Sequence, residues 1–230
     1  PQEMATFQMF FRQPEEVWKW YLYRMNVCAK AKPNPGHRAL VDLEHLLGER
    51  FRIITQNVDG LHLRAGNHPK RTYHIHGHVF SMRCARECAA DLHAIPEGFL
   101  GRDKHHGITP EERSLLTCPR CGGWSRPHVL WFDEYYNEHF FKFDSALRAA
   151  AETDLLLIVG TSGATNLPNQ VARAVAAKKG LLVDINIEEN PFSRLAIQHG
   201  GYFLQATAGE ALPVILEIFR PHLEGAGPAS

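Results

Sequence analysis

Four of the five cysteines fall in two close pairs, Cys84-x3-Cys88 and Cys118-x2-Cys121. Thiolates this close can both reach one ion from a tight knuckle, and two knuckles close a tetrahedron. Gly122-Gly123 relaxes the chain after the second pair. Four sulfurs leave no position open for water, so the spacing predicts a structural zinc ion. His93, His105 and His106 are near enough to serve as alternative ligands. Such pairs suit a metal site in a reducing compartment better than a disulfide framework, so the expected location is cytoplasmic, with an organelle as the alternative. Cys28, left over, reads as a small buried hydrophobe.

Further polar groups follow hydrophobic runs. Gln56, Asn57 and Asp59 lie in Thr55-Gln-Asn-Val-Asp-Gly60, directly after Phe51–Thr55. Such groups at the carboxyl end of a parallel strand stand where α/β folds bind ligands, while a capped turn accounts for them equally well. His74-Ile-His76-Gly-His78 alternates, so one strand would put three imidazoles on one face, suited to general-base work. A three-histidine metal site is conceivable there too, though successive strand positions converge poorly on one ion. Gly160-Thr161-Ser162-Gly163 follows Leu155–Val159 and could cradle phosphate or ribose. Asn186 and Glu188 follow Leu181–Ile185, where such side chains take ribose hydroxyls.

The elements behind these groups are legible in the hydrophobic pattern. Phe7, Phe10 and Phe11, then Val17, Trp18, Tyr21 and Leu22, recur at helical spacing, with Pro14 as a first-turn residue. A second helix is expected over His37–Leu47, ending at Gly48. Tyr73–Met82 alternates like a strand pair, and the charged stretch Gly98–Glu112 reads as loop. Leu155–Val159 reads as a strand buried on both faces. With the Ala-rich helix Asn169–Lys179 and the strand Leu181–Asn186 it makes a βαβ unit. A strand at Tyr202–Gln205 and a helix at Gly209–Phe219 close the fold. The expected class is α/β, a Rossmann-like parallel sheet with a smaller zinc-binding and helical module.

Composition narrows the function. Of 230 residues, 25 are Lys or Arg and 25 Asp or Glu, which argues against a broad nucleic-acid or anionic-membrane footprint. No run approaches the ~20 apolar residues of a membrane span.

Taken in order, Thr-Gln-Asn-Val-Asp, Ile-His-Gly, the cysteine pairs, Arg126-Pro-His-Val-Leu-Trp-Phe-Asp-Glu134, Gly-Thr-Ser and Ile-Asn-Ile-Glu closely resemble the sirtuin family of NAD-dependent protein deacylases. The resemblance spans residues 1–215. It implies that His76 is the catalytic base and that Asn57 orients the reacting ribose. Gln56, Asn57 and Asp59 would hold nicotinamide and its ribose. Gly160, Thr161 and Ser162, with Asn186, Glu188 and Ala208, would contact the rest of NAD. Acylated-lysine proteins or peptides would be the partners, adding as a strand along Val129, Trp131 and Phe132 up to Glu134, opposite the loop after Ser162. The products would be nicotinamide, free lysine and O-acyl-ADP-ribose.

A finer likeness points to the desuccinylase and demalonylase subgroup. Tyr21 and Arg24 share a helix face and match its Tyr-x-x-Arg pair, in which Arg forks onto the distal carboxylate and Tyr adds a hydroxyl. An aromatic core face with a solvated Arg is the plainer alternative. Expected boundaries are 1–38 for the helical part of the small module, 39–80 and 126–222 for the Rossmann-like parts, 81–125 for the zinc module and 223–230 for a flexible tail.

The chain also departs from the family. The opening strand and Gly-Ala-Gly phosphate loop have no counterpart, since Gly225–Gly227 lies in the tail; the expectation is that an amino-terminal segment is missing from this sequence. Asp133 replaces a usual Gly in the peptide-facing strand, where its charge would disfavour acidic substrates. The first knuckle is one residue longer than usual, as is the loop between Ser162 and Pro168. An NAD glycohydrolase or ADP-ribosyltransferase, and a non-catalytic acyl-lysine or ADP-ribose binding module, are the alternatives.

Overall fold

The computed structural model describes residues 3–103 and 105–224; of the expected tail 223–230, residues 223–224 are helical and the remainder, with Gly225–Gly227, lies outside the described residues. In chain order the elements are α1 (Phe7–Arg12), α2 (Pro14–Lys30), α3 (Pro35–Leu47), β1 (Ile53–Thr55), α4 (Leu61–Ala65), β2 (Thr72–His74), β3 (Gly77–Cys84), β4 (Leu92–Ala94), α5 (Pro110–Leu115) and β5 (Ser125–Val129). Then follow α6 (Glu138–Phe141), α7 (Phe143–Glu152), β6 (Leu155–Val159), α8 (Asn166–Ala177), β7 (Leu181–Asn186), α9 (Pro191–Gln198), β8 (Tyr202–Gln205) and α10 (Ala208–Glu224).

Local chemistry sets the helix starts. Asn34, Thr109 and Asn190 each accept a backbone N–H and are followed by proline, which supplies the first-turn φ of α3, α5 and α9. The helix α5, closed by a Thr109–Glu112 capping box, interrupts what the sequence presents as loop. Four-residue and ten-residue helices at α6 and α7, and the strand β5, carry signals too weak to be read from the sequence.

Contacts divide the chain into two compact units. The first comprises the described residues of Pro1–Lys32, Thr55–Gly60 and His74–Phe141. Its antiparallel sheet runs β4-β3-β5, with Arg83 opposite Arg126 and Cys84 opposite Ser125. Phe10 from α1, and Val17, Trp18, Tyr21, Leu22 and Met25 from α2, pack on Val79, Met82, Val129 and Trp131. The Trp18 indole donates to the Ser125 carbonyl at 2.9 Å, pinning α2 to the strand after the second knuckle.

The second unit comprises Pro33–Ile54, Leu61–Tyr73 and the described residues of Lys142–Ser230. Its sheet, β6-β7-β8, is parallel, and β6–α8–β7 and β7–α9–β8 are its two crossovers. Alternation distributes the side chains: Leu155, Leu157, Val159, Val183 and Ile185 meet α3 and α10, whereas Leu156 and Ile158 meet α8 and α9. Covering both faces is what a parallel sheet requires. One expectation fails in part, because in β6 only Ile158 is fully buried. β6 is an edge strand of this sheet, with no ladder partner on its other side among the described residues.

Tyr73–Met82 does not form a paired hairpin either. β2 ladders with β1, and β3 with β4 and β5, so the chain breaks between them at Ile75-His76. Gly77 makes the break possible: its φ is +81°, and a side chain there would collide with the His128 carbonyl.

Candidate active site and metal centre

The four cysteine sulfurs meet at one end of the first unit's sheet. Cys84 ends β3, Cys118 and Cys121 flank the tight turn before β5, and all four Sγ atoms lie within 4.8 Å of one another. Cys84 and Cys121 are 3.6 Å apart, Cys88 and Cys118 3.5 Å. A tetrahedral ion with Zn–S bonds of about 2.3 Å sets sulfurs about 3.8 Å apart, whereas a disulfide needs about 2.05 Å. The donor set therefore fits zinc. Backbone N–H groups of Cys121 and Arg120 hold the Cys118 thiol down at about 6, while hydrogen bonds with Cys84 and Cys118 push Cys88 up to about 12. Thiolates this crowded compete for protons unless a divalent cation neutralises them. Among the described residues no histidine joins the cluster.

The break at His76 decides the second centre. The three histidines do not share one strand face: His74 and His78 meet edge to face with centroids 5.4 Å apart, whereas His76 sits in the turn between their strands. There its Nδ1 lies 3.1 Å from the Gln56 carbonyl, and its Nε2 2.8 Å from the Tyr136 hydroxyl. A carbonyl only accepts, so Nδ1 carries the proton and Nε2 the lone pair. Burial lowers the His76 pKa below 6.5, opposed by the Gln56 hydrogen bond, so the ring is neutral at pH 7. It is a base ready for use.

The loop after β1 supplies the Gln56 carbonyl. The Thr55 hydroxyl accepts the Asn57 N–H at 3.1 Å, the Thr55 carbonyl takes the Ile75 N–H, and the Val58 carbonyl takes the Val79 N–H, so the loop is tied down on both sides of His76. Asn57 is exposed, while Gln56 and Asp59 are half-buried. Gly60, at φ +71°, lets the His78 ring approach: a Cβ there would lie 2.6 Å from Nε2. Burial, then repulsion from His74, depresses the His78 pKa to about 4. The Asn57 backbone approaches His74, yet both His74 ring nitrogens are buried outside hydrogen-bond geometry.

The first unit also holds a buried ionic cluster. Arg126, 1% exposed, grips Glu134 with both terminal nitrogens, the second at 2.7 Å, and lies 3.5 Å from the Trp131 ring centroid. Arg83, 2% exposed, reaches the same carboxylate at 3.6 Å. Glu134 also accepts the Trp131 N–H at 2.9 Å. His128, among these cations, is driven down to about 3 by burial first and then by Arg83 and Arg126.

The residues expected along the peptide are differently disposed. Val129 and Trp131 are buried, and Phe132 is 71% exposed. The N–H groups of Leu130 and Phe132 are taken by the carbonyls of His76 and Ala5. Asp133 is not a strand residue: it sits in a turn, where its carboxylate accepts the N–H groups of Phe7 and Gln8 at 2.7 and 3.0 Å. Its charge is spent on the amino end of α1. Tyr21 is 2% exposed and its hydroxyl accepts the Trp131 indole N–H at 2.7 Å, which turns it into the core; burial first raises its pKa to about 12. Arg24 is half-buried, with its guanidinium 4.7 Å from the Trp20 centroid.

In the second unit, the turn Gly160–Gly163 follows β6, with positive φ at both glycines. Thr161 is half-buried and Ser162 exposed. Asn186, at the matching end of β7, donates to the Thr161 carbonyl at 3.1 Å and accepts the Ile187 N–H at 2.9 Å, so its amide knits the two strand ends. Glu188 is exposed, and Ala208 opens α10. These groups stand at the carboxyl ends of parallel strands, the usual ligand end of such sheets. Tyr136 was missed by sequence reasoning; its only signal was a Tyr-Tyr pair after the Trp131–Glu134 motif.

Fold and site thus define an α/β protein with a four-cysteine centre that fits zinc and a neutral, carbonyl-oriented histidine base. The Sir2 family model matches residues 1–166. An NAD-dependent protein deacylase of Leptospira interrogans (serovar copenhageni, strain Fiocruz L1-130) is 38% identical over 216 residues, covering 94% of this chain and 79% of the relative. One from Pyrococcus abyssi (strain GE5 / Orsay) is 35% identical, covering 97% of this chain and 83% of the relative. A solved Sir2 homologue in complex with NAD superposes with a TM-score of 0.81 at 31% identity, covering 97% of this chain and 78% of that one. The chain belongs to the Sir2 family. The donors of each unit fit part of NAD: in the first, the amides and carboxylate of Gln56, Asn57 and Asp59 suit a carboxamide and ribose hydroxyls; in the second, the Thr161 and Ser162 hydroxyls at the end of β6 suit ribose or phosphate. No Gly-Ala-Gly phosphate cradle occurs among the described residues.

Proposed function

We propose that this protein is an NAD-dependent protein-lysine deacylase. The observation that carries the reading is the hydrogen bond from His76 Nδ1 to the Gln56 carbonyl, which leaves Nε2 as an aimed, neutral base. NAD, when bound, supplies an electrophilic ribose carbon with nicotinamide as its leaving group. His76 Nε2 then accepts the proton of a ribose hydroxyl, a task suited to an imidazole that burial keeps neutral. Gln56, Asn57 and Asp59 would bind the nicotinamide and its ribose, with Asn57 orienting the reacting sugar. Gly160, Thr161 and Ser162, with Asn186, Glu188 and Ala208, would bind the rest of the dinucleotide. Zinc would hold the two knuckles together and so position β5 and the Trp131–Glu134 turn; it supplies no open coordination site.

For the acyl group, we read Arg24 as the selector for an acidic chain such as succinyl or malonyl, because a half-buried guanidinium can offer a carboxylate a bidentate fork. Tyr21 supports it through packing with Trp131. The substrates are acylated-lysine proteins, and four reduced thiols suit a cytoplasmic location.

The test is to incubate the zinc-loaded protein with NAD and either an acetyl-lysine or a succinyl-lysine peptide, following peptide mass. Loss of the acyl mass with release of nicotinamide is expected. If neither peptide changes while a control deacylase acts on both, the reading fails.

A further inference from the structure

The base is held from two sides, and its second partner lies outside every motif named above. The Tyr136 hydroxyl is 2.8 Å from His76 Nε2, and the two rings stack with centroids 5.8 Å apart and an interplanar angle of 30°. Because Nδ1–H donates to the Gln56 carbonyl, Nε2 of the neutral ring can only accept, so the phenol is the donor. Tyr136 is itself fixed. Two residues before it, Glu134 is clamped by Arg126 and the Trp131 N–H. One residue after it, Asn137 accepts the Phe140 N–H through its side chain, 2.8 Å, and the Phe141 N–H through its carbonyl, 3.1 Å. A phenol anchored on both flanks is not a casual neighbour.

We propose that Tyr136 is a positioning residue for the base: its hydroxyl holds the His76 ring plane and occupies the Nε2 lone pair until the substrate hydroxyl displaces it. This rests on the deacylase reading for the substrate, but the contact itself does not. Before substrate binds, the phenol excludes water from Nε2 and favours the neutral ring, since it can donate only to an unprotonated nitrogen. On displacement the Tyr136 proton stays on its own oxygen, and the substrate proton passes directly to Nε2. The groups facing His76 are the Gln56 carbonyl from the loop after β1 and Tyr136 from the turn after Trp131. His74 and His78 flank it in the chain, and Asp59 acts on those two.

The test compares the zinc-loaded protein with Tyr136→Phe and Tyr136→Leu. Labelled histidine is titrated by NMR without substrate, with His76→Gln assigning the signal. Loss of an ordinary hydrogen bond to the neutral ring should raise the His76 midpoint by about half to one pH unit in both variants. The acid limb of kcat/KM with NAD and acyl peptide should move up by the same amount, while the alkaline plateau changes by less than about tenfold. An unmoved midpoint overturns the proposal. So does a plateau loss of about a hundredfold or more, which would put the phenol in the proton path. A protein that turns over neither peptide sinks the deacylase reading alone, and the titration still decides the contact.

Discussion

Replacing Glu134 tests whether the buried ionic cluster holds the first unit together. Glu134→Ala removes both bonds from Arg126, the acceptor for the Trp131 N–H and a carboxylate partner of Arg83, which keeps the largely exposed Glu87. Arg126 would keep one terminal bond, to the Val129 carbonyl at 2.9 Å, while 1% exposed. Stranding one partner of a buried pair costs about 3–5 kcal/mol. In a chain of this size each kcal/mol lowers Tm by roughly 2–4 °C, so a drop of roughly 6–20 °C is expected. Glu134→Gln keeps the shape and an acceptor but not the charge, and should lose about 2–3 kcal/mol. All four tryptophans, Trp18, Trp20, Trp124 and Trp131, lie in the first unit, so urea unfolding followed by their fluorescence reads that unit alone. A loss below about 1 kcal/mol for Glu134→Ala, the scale of a surface pair, would refute the reasoning. The combined variant Arg126→Met with Glu134→Leu should be less destabilised than Glu134→Ala, because it strands one fewer cation.

Chelation should remove one zinc per chain, expose the segment from Cys84 to Cys121 to protease and abolish deacylation; a verified metal-free protein with full activity would exclude the structural role. Arg24→Met should lower succinyl-peptide turnover far more than acetyl-peptide turnover, whereas equal losses would mean that Arg24 only packs on Trp20. Acid should destabilise the fold through its neutral histidines. Their native pKa values, about 4 for His78 and about 3 for His128, lie below the unfolded value near 6.5, so the unfolded chain binds protons first and stability falls as pH drops. Each contributes a slope of about 1.4 kcal/mol per pH unit between about 6.5 and its native pKa; a flat urea stability profile from pH 6.5 to 5 would contradict their burial. His76→Ala should abolish turnover while leaving zinc content unchanged, and residual turnover near the parent rate would remove His76 from the base role.

What the sequence determined by itself is what short-range pattern can carry. The cysteine spacing named the metal centre, because two knuckles need only local chain geometry. Pro14, the His37–Leu47 pattern ending at Gly48 and the Leu155 and Leu181 runs announced α2, α3, β6 and β7 for the same reason, since hydrophobic periods and helix stops act within a few residues; the start of α3 at Pro35 was not among them. Motif order then brought Gln56, Asn57, Asp59 and His76 together by resemblance.

Other outcomes were set by partners distant in the chain. The alternating histidines read as one strand face, but Gly77 and the carbonyl of His128 break that strand, and only then does His76 turn to Gln56 and Tyr136. Asp133 looked like a charge facing a peptide until α1 brought two backbone donors to it. Tyr21, legible as a helix-face residue, turned inward because Trp131, 110 residues on, meets its hydroxyl. Each cysteine pair is a local feature. Whether the base is aimed, neutral and guarded depends on hydrogen bonds spanning 20 and 60 residues, and no local pattern encodes those.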